Sequence, residues 1–76
     1  MFSAENLIRL RKARGFSQEE LARRSTLATV TVAKLEEGKN TDPKMSTIKK
    51  LSKALDCPIE SFFADEPSGA ETRRAF

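Results

Sequence analysis

The chain has 76 residues, a formal net charge of +3 at pH 7 and no histidine; that length gives one small domain with a limited core, and the missing imidazole removes the commonest general base and metal ligand. Cys57 is the single cysteine, so intramolecular disulfides and thiolate zinc clusters are excluded, and it reads as a small buried apolar residue. No apolar run approaches the roughly 18 residues a membrane span needs, and Glu5 and Arg9 interrupt any early run resembling a signal peptide, so the cytoplasm is the expected compartment.

Ser3 is placed to cap a first helix whose Leu7, Leu10 and Arg14 fall on one face at i, i+3, i+7. Ile8 lies off that face, either exposed or against the C-terminal segment. Gly15 follows as expected where a helix ends in a left-handed residue, and Phe16 turns toward the core. Ser17-Gln18-Glu19-Glu20 fits a capping box, with Phe16 and Leu21 spaced for the accompanying hydrophobic staple. Leu21 and Ala22 give this second helix its buried side. Glu19 and Glu20 stand in its first turn and Arg23 and Arg24 in its last, as the helix dipole favours.

The next segment carries two conflicting signals. Thr29-Val30-Thr31-Val32 alternates and is β-branched, which favours a strand. No other segment offers it a pairing partner, however. Leu27, Thr31, Val32 and Leu35 also share one helical face ahead of Gly38. A helix over about 29–37 is therefore expected. A polar loop runs from Lys39 to Pro43. Met45, Ile48, Leu51 and Leu55 repeat at three and four and mark a fourth helix. Pro58 opens a short fifth helix with Ile59, Phe62 and Phe63 as its apolar residues. From Ala64 the composition turns small and charged, with Pro67 and Gly69, which predicts a flexible tail. The expected division is a folded domain over 1–63 and a tail over 64–76.

Lys39, Lys44, Lys49, Lys50 and Lys53 face only Asp42 across residues 39–53, whereas the tail sets Asp65, Glu66 and Glu71 against Arg73 and Arg74. The positive excess belongs to the folded part. It suits a phosphate backbone, and it equally suits a solvated surface. Two short helices joined by a tight turn, as over residues 17–38, can push one exposed helix face into a DNA groove.

Residues from about Leu7 to Phe63 resemble the phage repressor/Cro-like helix-turn-helix family, the XRE-type regulators. The resemblance rests on Leu7-x-x-Leu10-Arg11, Gly15-Phe16-Ser17-Gln18-Glu19-Glu20-Leu21-Ala22, Leu35-Glu36-x-Gly38-Lys39, Pro43, and Leu51-x-Lys53-Ala54-Leu55, in order and at family spacing. It implies an all-α, compact five-helix, lambda-repressor-like DNA-binding domain whose third helix reads DNA. It also implies a partly buried ion pair between Arg11 and Glu36. Three positions depart from the pattern. Thr26 stands where the family turn usually has glycine, and a β-branched residue at positive φ is costly, which points to a turn of another shape. Ala28 replaces the usual cap of the third helix, at about 1 kcal/mol, so the start of that helix is expected to be its looser end. Lys44 replaces the cap of the fourth, and the 39–43 loop is about one residue longer than in many members.

The resemblance implies base contacts from Ala28, Thr29, Val30, Ala33 and Lys34. Lys34 can donate to guanine O6 and N7, Thr29 can donate or accept, and the apolar three suit thymine methyls. Val30 and Ala33 could instead simply pack. Phosphate contacts are expected at helix N-termini, from Ser17 and Gln18 and from Lys44 and the Met45 amide, with Thr31 and Lys39 completing the set. One such helix supplies too little discrimination for a specific site. A homodimer on a palindromic operator, with half-sites about 34 Å apart, is therefore expected. Ile8, Ile59 and Phe63 are candidate interface residues, and completing a small core is the other reading of them. No cofactor or metal is called for. Catalysis is not expected, because adjacent carboxylates such as Glu19-Glu20 share no helix face and no nucleophile–base pair can be drawn. The alternative to a repressor is an antitoxin-type protein that binds a toxin partner, with the tail as the candidate docking segment, and autoregulates its operon.

Overall fold

In the computed structural model, residues 2–63 are described; the tail expected over 64–76, and any partner contact through it, lie outside the described residues. Four α-helices form: α1 (Ala4–Ala13), α2 (Gln18–Ser25), α3 (Thr29–Glu36) and α4 (Met45–Leu55), followed by a 3-10 turn over Ile59–Phe62. The all-α expectation holds, and the helix over about 29–37 forms despite its β-branched run. Burial of Val32 and Leu35 on one side of α3 outweighs the local strand propensity.

The fifth helix of the expectation is corrected to a single 3-10 turn. Pro58 starts it, but Phe63 is already extended at φ −101° and ψ 136°, so the segment is too short for i→i+4 bonds to close. Its bonds are i→i+3, from Ser61 N–H to Pro58 O at 3.0 Å and from Phe63 N–H to Glu60 O at 3.1 Å.

The helix starts divide into two kinds. Ser3 accepts from the Asn6 amide at 3.1 Å and Ser17 from the Glu20 amide at 3.0 Å, so α1 and α2 are capped as expected. Only half of the capping box at Ser17 is made, because the Glu20 carboxylate turns to Arg23 and Arg24 instead. Ala28 and Lys44 make no side-chain cap at the starts of α3 and α4.

The helix ends are all of one kind. Each α-helix closes with a pair of backbone bonds reaching back over its last turn: Phe16 to Arg11 and Gly15 to Lys12, Leu27 to Ala22 and Thr26 to Arg23, Lys39 to Lys34 and Gly38 to Leu35, Cys57 to Ser52 and Asp56 to Lys53. The geometry needs a left-handed residue. Gly15 at φ +74° and Gly38 at φ +78° meet that need without strain, whereas Thr26 at φ +57° and Asp56 at φ +53° have a Cβ. The turn between α2 and α3 thus keeps the glycine-type shape, and the expected departure at Thr26 does not occur. The two backbone bonds hold the threonine in place.

The core gathers Phe2, Leu7, Leu21, Ala22, Val32, Leu35, Ile48, Leu51, Leu55 and Phe62. Helix α2 packs on α3 and α4, α1 on α3, and the 3-10 turn on α1 and α4. Phe2 stacks on Phe62 with ring centroids 5.8 Å apart, and the Ser3 amide donates to the Phe62 carbonyl at 2.7 Å. The first and last described residues are thereby latched. Cys57 is half-buried against the core rather than fully enclosed, and burial pushes its thiol pKa up.

Candidate nucleic-acid interface

Helix α3 has two unlike sides. Val32 and Leu35 are fully buried. Ala28, Thr29, Val30 and Lys34 are exposed, and Thr31 and Ala33 are half-buried. The strand-like run therefore splits by helical geometry into one inward valine and one outward valine. Val30 is 59% exposed and Met45 51%, the two large apolar side chains that stand out in solvent among the described residues. Each sits at the start of an uncapped helix. Single exposed apolar side chains are ordinary on a protein surface; at these two positions they are open to contact with an apolar group such as a methyl.

The helix starts carry unused donors. At α2 the Glu20 amide is taken by Ser17 Oγ and the Leu21 amide by Ser17 O, leaving the amides of Gln18 and Glu19 without a protein acceptor among the described residues. At α4 the first reciprocated amide is that of Ile48, which donates to Lys44 O at 3.1 Å. The Met45 amide lies ahead of it and points out of the helix, as first-turn donors do. Lys44 is exposed and has no carboxylate within 4.0 Å among the described residues. Lys39 differs: its ammonium lies 3.2 Å from the Glu37 carboxylate, in an exposed pair of low strength.

The ion pair implied for Arg11 and Glu36 forms. Arg11 Nε donates to Glu36 Oε2 at 2.6 Å and Nη2 to Oε1 at 3.1 Å, with only 13% and 4% of the two side chains exposed. Two further contacts join it that the sequence reading did not foresee. Arg11 Nη1 donates to the Phe16 carbonyl at 2.7 Å, and Gln18 Nε2 donates to Glu36 Oε1 at 2.9 Å. Nothing in the spacing of Gln18 and Glu36 announces this contact, which is set by the crossing of α2 and α3.

Other cations act within the scaffold. Arg23 and Arg24 both bind Glu20, and the Arg24 guanidinium, together with that of Arg23, holds the carboxyl below its ordinary pKa. The Arg24 guanidinium also lies 4.6 Å from the Phe16 ring centroid. Arg14 Nε donates to the Leu55 carbonyl at 3.0 Å and closes the end of α4. A cleft of about 260 Å³ at the far end of α2 is lined by Arg24, Ser25, Thr26, Lys50 and Lys53. Ile59 and Phe63 are half-buried and pack against the core, whereas Ile8 is half-buried without joining it.

Two short helices joined through a left-handed Thr26, with α3 braced on its inner face and open on its outer one, define a helix-turn-helix domain. A family model described as helix-turn-helix matches residues 7–62, and the chain belongs to that family. It is 40% identical over 60 residues to RghRB of Bacillus subtilis (strain 168), described as an uncharacterized HTH-type transcriptional regulator, with 79% of this chain and 43% of that protein covered. It is 39% identical over 56 residues to the HTH-type transcriptional repressor RghR of the same organism, covering 74% of this chain and 42% of that one. The chain thus spans less than half the length of these curated relatives. Among solved structures it is similar to the restriction-modification controller protein C.AhdI from Aeromonas hydrophila, with a TM-score of 0.75 and 37% identity over 79% of this chain and 89% of that one. It is also similar to SinR, a master regulator for biofilm formation, in complex with DNA, with a TM-score of 0.76 and 25% identity over 79% and 98% of the two chains.

Proposed function

We propose that this chain is a sequence-specific double-stranded DNA-binding transcriptional regulator of the repressor kind, a homodimer that places α3 in the major groove of a palindromic operator. The observation that carries the reading is the division of α3. Its inner face is locked by Val32 and Leu35, and its outer face presents exposed Thr29, Val30 and Lys34. Likeness to a DNA-bound regulator supports it.

In this reading Lys34 donates to a guanine edge and Thr29 bonds a neighbouring base. Ala28, Val30 and Ala33 meet thymine methyls. Phosphates are held by Ser17 and Gln18 at the start of α2, by Lys44 and the Met45 amide at the start of α4, and by Thr31 and Lys39. Lys39 leaves its pairing with Glu37 to do so. The dimer is built on Ile8, Ile59 and Phe63, with Ile8 the residue least committed to the core.

Selection of binding sites from random duplexes at two salt concentrations tests this. Lys34→Ala should relax preference at one position. Lys44→Ala should weaken binding to all sequences and flatten the salt dependence by about one unit. Identical effects of the two substitutions would refute the division between base reading and phosphate contact.

A further inference from the structure

We propose that Glu36 is a positioning residue for the phosphate contact at the start of α2, acting through Gln18; the proposal rests on the DNA-binding reading above. The Glu36 carboxylate is 4% exposed and receives three N–H donors, two from Arg11 and one from Gln18 Nε2 at 2.9 Å. Arg11 alone neutralises its charge and does so with two teeth. The third donor is therefore surplus to the ion pair. Its effect falls on the glutamine.

A carboxylate only accepts hydrogen bonds, so the amide nitrogen of Gln18, and not its oxygen, must face Glu36. One amide hydrogen is committed there and the other is left for an outside acceptor. Gln18 is also the first residue of α2, where its own backbone N–H and that of Glu19 have no protein acceptor among the described residues. The same Arg11 holds the Phe16 carbonyl at 2.7 Å, one residue ahead of the Ser17 cap. A single buried carboxylate at the end of α3 thus fixes the side chain that meets the backbone and the peptide that leads into it. A long amide already held in one rotamer loses less freedom on meeting a phosphate than a free one. Phosphate contact and base reading are coupled mechanically, because the group that orients the one is the last residue of the helix that does the other.

The test is a double-substitution cycle on a mixed-sequence duplex, since the contact is independent of sequence. Replacing both members of the ion pair by apolar residues of similar size, as Arg11→Met with Glu36→Leu, removes the carboxylate without stranding a buried charge. In the native chain Gln18→Ala should lower affinity about tenfold, the scale of a hydrogen bond to a charged group. In the Arg11→Met/Glu36→Leu chain the same change should cost less than about twofold, because the amide there is no longer held. Lys44→Ala, as control, should cost the same factor in both. Equal losses from Gln18→Ala in both chains overturn the positioning role and leave the DNA-binding reading standing. No loss in a native chain that binds DNA removes Gln18 from the contact and overturns the proposal. A native chain that binds no duplex refutes the reading on which it rests. Should the doubly substituted chain fail to fold, NMR of the native protein decides. Its Gln18 Nε2 protons, inequivalent in any primary amide, should show one resonance displaced from the free-glutamine position by the Glu36 carboxylate and the other moving when duplex is added, and both protons at free-glutamine positions overturn the proposal.

Discussion

Thr26→Gly should stabilise this domain. Thr26 sits at φ +57° and ψ 33°, a left-handed conformation that costs a residue with a Cβ about 1–2 kcal/mol. Its side chain is exposed and bonds only the adjacent Ser25 carbonyl, so truncation removes no packing. The bonds that define the turn, from the Thr26 amide to Arg23 O and the Leu27 amide to Ala22 O, are backbone bonds and survive. Glycine returns about 0.5–1 kcal/mol of the gain through the greater freedom of its unfolded chain. The net is a stabilisation of about 0.5–1 kcal/mol, or a rise in Tm of about 2–8 °C for a domain of this size. Asp56 is the internal comparison. It occupies the same region at φ +53°, but aspartate enters it more readily, and its 3.6 Å pairing with Arg14 is exposed and weak. Asp56→Gly should therefore move stability by less than about 0.5 kcal/mol. Thermal and urea melts of the three proteins decide the matter. A Thr26→Gly protein that melts at or below the parent, with an unchanged denaturant slope, would refute the strain argument.

Other outcomes follow from the same geometry. Ala28→Ser supplies the missing cap of α3 and should add about 1 kcal/mol, read as a higher Tm without DNA. The Glu20 carboxyl has a folded pKa lowered by Arg24 and Arg23, so its contribution is present at neutral pH and disappears as pH falls below the ordinary carboxylate range and through the lowered value. Tm plotted against pH should accordingly fall less steeply on the acid side for Glu20→Gln than for the parent, and parallel curves would exclude Glu20 as a source of acid sensitivity. Burial raises the Cys57 thiol, so alkylation at mildly alkaline pH should be slow in the native chain and accelerate in urea; equal rates would show a thiol that is already open to solvent.

Most of the helical frame was legible because caps and apolar periodicity agree with the final packing. Ser3, Ser17, Gly15 and Gly38 each stand where their chemistry predicts. The α3 assignment needed more than local preference: the β-branched run points one way, and only the shared face of Val32 and Leu35 points the other. Phe2 is a core residue outside the apolar periodicity of α1, although its place just before the capping Ser3 and five residues ahead of Leu7 is the spacing of a hydrophobic staple. The Ile59–Phe62 segment reads as a full helix in the sequence because nothing local says how soon the chain must straighten to meet Phe2. At the interface, exposure of Lys34 and Val30 follows from periodicity. The Gln18–Glu36 and Arg14–Leu55 contacts do not, since both depend on how separate helices cross.

The latch between Phe2 and Phe63 makes the two ends of the described stretch neighbours, tied by the Ser3–Phe62 backbone bond at 2.7 Å. Extremities so close can be joined by a short linker and the ring reopened elsewhere. The exposed Asn40–Asp42 stretch offers such an opening on the far side of the sequence. A rearranged chain that joins these ends and opens at Asn40–Asp42 should therefore keep the helical circular-dichroism spectrum of the parent.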